Sequence, residues 1–239
     1  MKPSIEKRRK SIARAVVLLS GGLDSTVSLS LATRRVVVLA AVTFRYGQRS
    51  AEEEVKASRR VARSLGVCHR VISLPWLGRL NAGGLADPKT RIPKVSVSDL
   101  NAGRTAAASR AVWVPNRNGL FINMAACLAE AWGAGIVVAG FNSEEAENFP
   151  DNGLEFVRDA NRVLKRSTLN GVRVVSYVQR MTKEEIVEEG VRVGAPLGAV
   201  YSCYLGGPGH CGECESCRRL ARAFRLAGQW DLIRSRFKG

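Results

Sequence analysis

The sequence lacks long apolar runs and internal repeats. No run of 18 apolar residues occurs among its 239 residues, which excludes a transmembrane helix. The basic start, residues 1–14, leads into a short apolar run that ends in a glycine loop. A signal peptide would instead end in a small-residue cleavage site. We therefore expect a cytoplasmic protein without contact to a membrane.

Acidic residues are few. The chain has 21 Asp and Glu against 37 Lys and Arg, a net charge of +16. The basic excess is greatest in residues 2–14 and 218–238. This balance suits polyanionic ligands, either nucleotide phosphates or a nucleic acid such as tRNA. Solubility is the alternative explanation, because aromatic residues are not interleaved with these basic ones.

Apolar β-branched runs alternate with amphipathic segments, which predicts an α/β fold: an open parallel sheet with helices on both faces. We predict strands at 15–19, 36–44, 67–74, 112–114, 135–141 and 172–177. We predict helices at 24–34, 49–65, 117–132, 155–168 and 182–193. Residues 78–111 show weak periodicity and are predicted to form a lid or mobile loop. We divide the chain into a main domain, 1–200, and a small C-terminal element with a basic helical tail, 201–239.

A glycine loop, Ser-Gly-Gly-Leu-Asp-Ser-Thr at 20–26, lies between the first strand and the first helix. Backbone amides at such a junction bind anions, and the hydroxyls of Ser20, Ser25 and Thr26 add hydrogen bonds. The string is neither a Walker A loop nor a GxGxxG motif. The alternative is a tight turn with Asp24 or Ser25 as helix cap.

Four of the six cysteines lie close together, spaced C-x7-C-x2-C-x2-C: Cys203, Cys211, Cys214 and Cys217. Four thiolates close a tetrahedral shell, so the spacing predicts a structural zinc ion. An iron–sulfur cluster is the competing interpretation, and His210 is a substitute for one thiolate. Cys68 and Cys127 lie in apolar segments and are expected in the core.

The loop SGGLDS resembles the PP-loop of the ATP pyrophosphatase superfamily. Within that group the chain resembles the 7-cyano-7-deazaguanine synthase family of queuosine and archaeosine biosynthesis. The likeness runs nearly end to end and rests on VTFRYGQRSAEE (42–53), VPNRNGLFINMAACLAE (114–130), TKEEIV (182–187), YSCY (201–204) and the cysteine cluster. It implies an adenine nucleotide alpha hydrolase-like, Rossmann-like fold, a four-cysteine zinc site and a homodimer.

The resemblance implies that the enzyme is a ligase that uses ATP, Mg²⁺ and ammonia to turn 7-carboxy-7-deazaguanine into 7-cyano-7-deazaguanine. The catalytic residues would be Asp24, Ser25, Arg117 and Lys183, with Arg117 and Lys183 supplying charge to the phosphates. Nucleotide would contact Leu19, Ser20, Gly21, Gly22, Leu23, Asp24, Ser25, Thr26, Val27, Ser28, Leu29, Phe44, Arg45 and Tyr46. The deazaguanine would contact Arg117, Asn118, Asn142, Glu145, Phe149 and Asp151.

The sequence departs from the family pattern at five positions near the acid substrate: Asn116, Glu145, Phe149, Asn152 and Gly153. Losing a tyrosine hydroxyl and an arginine from a pocket changes ligand discrimination. Two alternatives therefore stay open. One is a divergent relative that adenylates another carboxylate, amide or tRNA nucleobase. The other is a zinc-stabilised nucleotide or RNA binder without catalysis.

Overall fold

Five parallel strands build the sheet in the part of the chain that the computed structural model describes, residues 12–80, 83–87, 89–101 and 105–237. They are β1 (Arg14–Leu18), β2 (Val37–Arg45), β3 (His69–Ser73), β4 (Ile136–Ala139) and β5 (Arg173–Ser176). Their order is β3-β2-β1-β4-β5, and every neighbouring pair is parallel. The predicted open parallel sheet is confirmed.

Eleven helices are found in the described residues. They are α1 (Leu23–Thr33), α2 (Ala51–Ser64), α3 (Pro75–Gly78), α4 (Gly83–Ala86), α5 (Val97–Asn101), α6 (Ala106–Ala111), α7 (Arg117–Ala131), α8 (Ser143–Ala146), α9 (Leu154–Ser167), α10 (Lys183–Arg192) and α11 (Glu215–Leu226). Short 3₁₀ turns lie at Pro150–Asn152, Leu197–Ala199, Trp230–Leu232 and Arg234–Arg236. The five predicted helices match α1, α2, α7, α9 and α10 within two residues. No helix in the described ranges is long and apolar enough to cross a membrane.

The central strand β1 is apolar on both faces because helices cover both. Val16 packs in one cluster with Ile122 of α7, whereas Val17 packs in another with Leu29 of α1. Successive side chains of a strand point to opposite faces, so β1 reads as a continuous apolar run typical of a buried parallel strand.

The strand predicted at 112–114 is wrong, and residues 78–111 have more secondary structure than expected; their role as a lid or mobile loop stays a prediction. Residues 112–114 form no strand; Val112 and Val114 are buried in a turn and an extended segment. The predicted mobile loop contains α4, α5 and α6, and Lys94 forms an isolated bridge with Cys214. These helices have only four to six residues, too few turns to give a periodic signal. Positions 81–82, 88 and 102–104 of this segment lie outside the described residues, as do the basic residues 1–11.

The expectation that Cys68 and Cys127 lie in the core is wrong, since both are exposed. Cys68 directly precedes β3, the strand at one end of the sheet order. Cys127 lies on α7, whose buried residues include Ala125, Ala126 and Ala129. An apolar neighbourhood in sequence did not distinguish the buried face of α7 from its outer face.

The strand order reverses at β1. The chain places β2 and β3 on one side of β1 and then returns to place β4 and β5 on the other. The carboxyl ends of β1 and β4 therefore border the crevice where ligands bind in open α/β sheets. The C-terminal α11 packs beside α10 and α1, sharing a core cluster with Leu23, Ile186 and Leu220. The domain boundary at residue 200 stays a prediction.

Candidate active site and metal centre

A cavity of about 240 Å³ opens at the carboxyl ends of β1, β2 and β4. The predicted site residues that line it are Leu19, Ser20, Gly22, Asp24, Ser25, Phe44, Tyr46, Arg117, Asn118, Glu145, Phe149 and Lys183. The sequence segments that carry the family resemblance thus meet around one space.

The two glycines of the loop have different surroundings. Gly21 has φ +80°, and a Cβ there would lie 2.8 Å from the Cβ of Ala57 on α2. Gly22 borders the cavity, and its nearest neighbour would be the hydroxyl of Ser20 at 3.4 Å. Gly21 is therefore required for helix packing, whereas Gly22 is the glycine that leaves backbone accessible to a ligand.

Hydrogen bonds to and from the Ser25 hydroxyl link residues within the glycine loop. The Oγ of Ser25 accepts from the Ser20 amide at 3.2 Å and donates to the Gly22 carbonyl at 3.2 Å. Gly22 is the N-cap of α1, and no side chain caps that helix. The helix-cap alternative for Asp24 or Ser25 is thus wrong. The uncapped first turn of α1 adjoins the cavity, which suits an anion.

The C-terminal segment holds this loop from the other side. The amide of Tyr201 donates to the carbonyl of Gly21 at 2.8 Å. Ser202 lines the cavity beside Gly22.

A buried lysine lies between two carboxylates. The Nζ of Lys183 is 2.6 Å from Asp24 Oδ2 and 2.6 Å from Glu145 Oε1. Burial raises the pKa of Asp24 to about 6, although the ammonium of Lys183 acts against this shift. Burial also opposes the charged form of Glu145, but Lys183 lowers the pKa of that carboxyl overall. The two carboxylates thus fix the ammonium of Lys183 at the cavity wall beside the glycine loop and balance its charge.

Arg117 supplies a second positive charge to the cavity. Its Nη1 donates to the hydroxyl of Tyr46 at 3.4 Å. Burial opposes its charge, yet Tyr46 and Asp151 raise the pKa of Arg117 overall. Asn118 donates from Nδ2 to the Asp151 carbonyl at 3.3 Å, and burial raises the pKa of the Asp151 carboxyl. Tyr46, Arg117 and Asn118 form a second polar part of the cavity wall, and Asp151 lies outside that wall.

The remaining predicted residues do not line the cavity: Gly21, Leu23, Thr26, Val27, Ser28, Leu29, Arg45, Asn142 and Asp151. Arg45 points outward and pairs with Glu52. Asn142 is fully buried outside the cavity. Its Oδ1 accepts from the amide of Glu145 at 3.0 Å and so caps α8, the helix that carries Glu145.

Several cavity residues were missed by sequence reasoning, among them Glu54, Phe121, Tyr201, Ser202, Tyr204 and Ser216. Phe121 stacks on Phe44 with ring centroids 4.3 Å apart. Glu54 is held by Ser50 and Gln48, and burial raises its pKa. These residues come from α2, α7, the segment after α10 and the first turn of α11. Quoted motifs were the available signal: Phe121 lies within VPNRNGLFINMAACLAE, Tyr201 to Tyr204 form YSCY, and Glu54 directly follows YGQRSAEE.

The departure at Asn116 has a local explanation. Asn116 is the N-cap of α7 and has φ +51°, the only positive φ of a non-glycine residue in the described ranges. Asparagine tolerates this left-handed conformation better than other non-glycine residues. In the family that the chain resembles, a glycine is usual at this position. Asparagine replaces it here because it can adopt the same left-handed backbone conformation.

We expect Asn116→Ala to destabilise the fold by about 1 kcal/mol, because a Cβ without a compensating polar group is strained there. Asn116→Gly is the matched control and is expected to match the original stability within about 0.5 kcal/mol. Urea unfolding of the three proteins measures the difference. Equal stability of the alanine and glycine variants would contradict the backbone explanation.

The four clustered cysteines meet as their spacing predicts. Their sulfur atoms all lie within 4.8 Å of one another. Cys203 comes from the loop before α11, Cys214 is the N-cap of α11 and Cys217 lies in its first turn. The sulfur of Cys211 accepts from the amides of Glu213 and Cys214 at 3.4 and 3.3 Å. Such N–H···S bonds stabilise thiolates, so the donor set fits a metal ion.

His210 is not part of this group. Its ring lies between those of Tyr201 and Phe237, and its Nε2 accepts from the Ser202 amide at 3.2 Å. The idea that His210 replaces a thiolate is therefore not supported by the geometry.

The chain matches a known protein family over most of its length. The family model described as "Queuosine biosynthesis protein QueC" matches residues 14–228. A 7-cyano-7-deazaguanine synthase of Desulforudis audaxviator is 46% identical over 216 residues, covering 90% of this chain and 98% of that protein. One of Methanothermobacter thermautotrophicus is 47% identical over 215 residues, covering 90% of this chain and 96% of that protein.

A solved structure shares the fold. A 4-thiouridine synthetase in complex with RNA and ATP superposes with a TM-score of 0.50 over 93% of this chain and 52% of that chain. Its sequence identity is 22%, so the likeness concerns the fold alone.

Proposed function

The chain belongs to the QueC family of queuosine biosynthesis proteins, and from this premise we propose that it is a 7-cyano-7-deazaguanine synthase. It is an enzyme that converts 7-carboxy-7-deazaguanine and ammonia to the nitrile while ATP is split to AMP and pyrophosphate. The observation that carries this proposal is the end-to-end match to relatives of that name, with the glycine loop facing the cavity.

The chemistry needs two activations. A carboxylate repels a nucleophile and has a poor leaving group, so its oxygen first attacks the α-phosphorus of ATP and releases pyrophosphate. Ammonia displaces AMP from the mixed anhydride, giving the amide, and loses a proton. The amide oxygen then attacks the α-phosphorus of a second ATP and releases a second pyrophosphate, and loss of AMP and of both amide protons yields the nitrile. No covalent protein intermediate is required, so the protein acts by positioning and charge stabilisation.

We assign the phosphates to the side of the cavity formed by the glycine loop. The amide of Gly22 and the first turn of α1 would bind the departing pyrophosphate. Lys183 would neutralise its growing charge, because the ammonium is already fixed by Asp24 and Glu145. Phe44 lies at the end of β2 and stacks on Phe121, which offers an apolar surface to adenine.

Magnesium fits this arrangement. Asp24 Oδ1 is buried and has no hydrogen-bond partner among the described residues, which leaves a carboxylate oxygen free for a hard cation. Asp24 would thus hold Mg²⁺ beside the phosphates. When bound, the ion supplies positive charge to the pyrophosphate leaving group.

The deazaguanine carboxylate would lie by Arg117, whose fixed charge suits a carboxylate. Asn118 and Asn152 would recognise the polar edge of the base, and the carbonyl of Asp151 would orient Asn118 from outside the cavity. Phe149 lines the cavity, and its ring is nearly parallel to that of Trp113 at 6.3 Å. At Phe149, this aromatic packing takes the place of a tyrosine hydroxyl.

We propose that the four cysteines hold zinc in a structural role, because four thiolates leave no open coordination position. We further propose that the protein is cytoplasmic and forms a homodimer. We also propose that its basic segments, residues 2–14 and 218–238, contact tRNA. A steep salt dependence of tRNA binding would support the last of these.

Mass spectrometry of the reaction tests the function. The purified chain is incubated with ATP, Mg²⁺, ammonium and 7-carboxy-7-deazaguanine. We expect a product at the mass of 7-cyano-7-deazaguanine, with AMP formed and no product when ammonium is omitted. AMP release only when tRNA is added would favour the divergent relative. ATP binding without AMP release would favour a non-catalytic binder.

A further inference from the structure

Two consecutive acidic residues on α8 hold the two ends of Lys183. Glu145 Oε1 lies 2.6 Å from the side-chain Nζ. Glu144 Oε1 accepts from the backbone amide of the same lysine at 2.8 Å. Lys183 is the first residue of α10, where an anion is favoured by the helix dipole.

The other oxygen of Glu144 is directed at α11. Its Oε2 accepts from Arg222 Nη2 at 2.6 Å and from Arg219 Nη1 at 3.2 Å. The Glu144 side chain is 14% exposed and that of Arg219 is 10% exposed. In such a partly desolvated setting, charge-assisted hydrogen bonds fix geometry strongly.

Arg219 is itself anchored. It pairs with Glu215 at 3.0 Å, and Glu215 is nearly fully buried. Its Nη2 donates to Thr105 Oγ1 at 3.2 Å. Arg219 lies two residues after Cys217 on α11, so the helix that carries two of the clustered thiols also carries this contact.

We propose that Glu144 is a positioning residue: its carboxylate ties the first amide of α10 to Arg219 and Arg222 of α11, and so directs Lys183 toward the phosphates. This inference rests on the role proposed above for Lys183. Nothing in it requires Glu144 to touch a substrate, since Glu144 does not line the main cavity.

The charge of Glu144 is what the arrangement needs. Three donors converge on its two oxygens. The side-chain amide of a glutamine has one oxygen and one NH2 group. Its NH2 group would face either the two arginines or the backbone amide of Lys183, and all of these are donors. Either orientation breaks part of the link, so Glu144→Gln tests the role at nearly constant volume.

Calorimetry of ATP–Mg²⁺ binding gives the decisive comparison. We expect Glu144→Gln to weaken binding about tenfold, the effect of losing one or two charge-assisted hydrogen bonds. In a Lys183→Ala background the same change is expected to add less than about twofold, because it acts through the lysine. Glu147→Gln removes an equal charge from an exposed position just after α8 and is expected to bind ATP normally.

Steady-state kinetics separates positioning from general loss of structure. For Glu144→Gln we expect kcat to fall about tenfold, while KM for the carboxylate substrate stays within about twofold. Arg222→Gln, at a more exposed site, is expected to show the same pattern at about threefold. It serves as a second variant if Glu144→Gln does not fold.

Normal ATP affinity in a folded Glu144→Gln protein would overturn the inference and leave the proposed function standing. Losses that add fully to those of Lys183→Ala would also overturn it. An unmodified chain that binds no ATP would instead remove the proposed function, and the positioning role with it.

Discussion

Asp24→Ala is expected to reduce turnover by at least about 100-fold, the size of effect seen when one preorganised electrostatic group is removed. Asp24 fixes the ammonium of Lys183 at 2.6 Å and lies in the first turn of α1. Without it, the ammonium of Lys183 retains Glu145 as its carboxylate partner, and the proposed Mg²⁺ ligand is lost. AMP and nitrile formation measure the effect.

The fold is expected to survive this substitution, because Asp24 caps no helix and lies at the cavity edge. Circular dichroism and thermal unfolding check that expectation. Asp159→Ala is the matched control: it removes an exposed carboxylate from α9 and should leave turnover unchanged. An Asp24→Ala protein with the original rate would refute the assignment of the glycine loop to the reaction.

Cys214→Ser is expected to abolish stoichiometric metal binding and to lower the unfolding temperature by roughly 10 °C or more. Structural metal binding is coupled to folding, so losing one of four thiolates removes much of that free energy. Cys214 is buried and is the N-cap of α11. Element analysis of the purified protein measures the metal and identifies it.

Cys127→Ser is the control for this experiment, since Cys127 is an exposed thiol outside the cluster. It is expected to keep both the metal and the unfolding temperature. One zinc ion per chain in the Cys214→Ser protein would disprove the four-thiolate site. If the unmodified protein contained iron and inorganic sulfide, the site would be assigned to an iron–sulfur cluster and not to zinc.

The local parts of the fold were predictable from the sequence. The apolar run of β1 is long enough to be recognised, and the glycine loop places the crevice at its end. The spacing of Cys211, Cys214 and Cys217 brings three sulfurs together almost independently of the rest of the chain. Such signals work because the interacting residues are close in sequence.

Features set by tertiary contacts were not predictable. The short helix α6 shows no periodicity, yet it is held by the bond from Ser109 to buried Glu215. Exposure of Cys127 depends on which face of α7 meets the sheet. Glu144 looked like an ordinary acidic residue, and only the approach of α11 gives it two arginine partners.

The bond from Tyr201 to Gly21 has a consequence for biosynthesis. During translation Gly21 is synthesised long before Tyr201, because β2 to β5 lie between these two residues in sequence. A nascent chain that stops before Tyr201 therefore has its glycine loop without this hydrogen bond. We therefore expect this hydrogen bond to form only after Tyr201 is synthesised, later than the last strand of the sheet, which ends at Ser176.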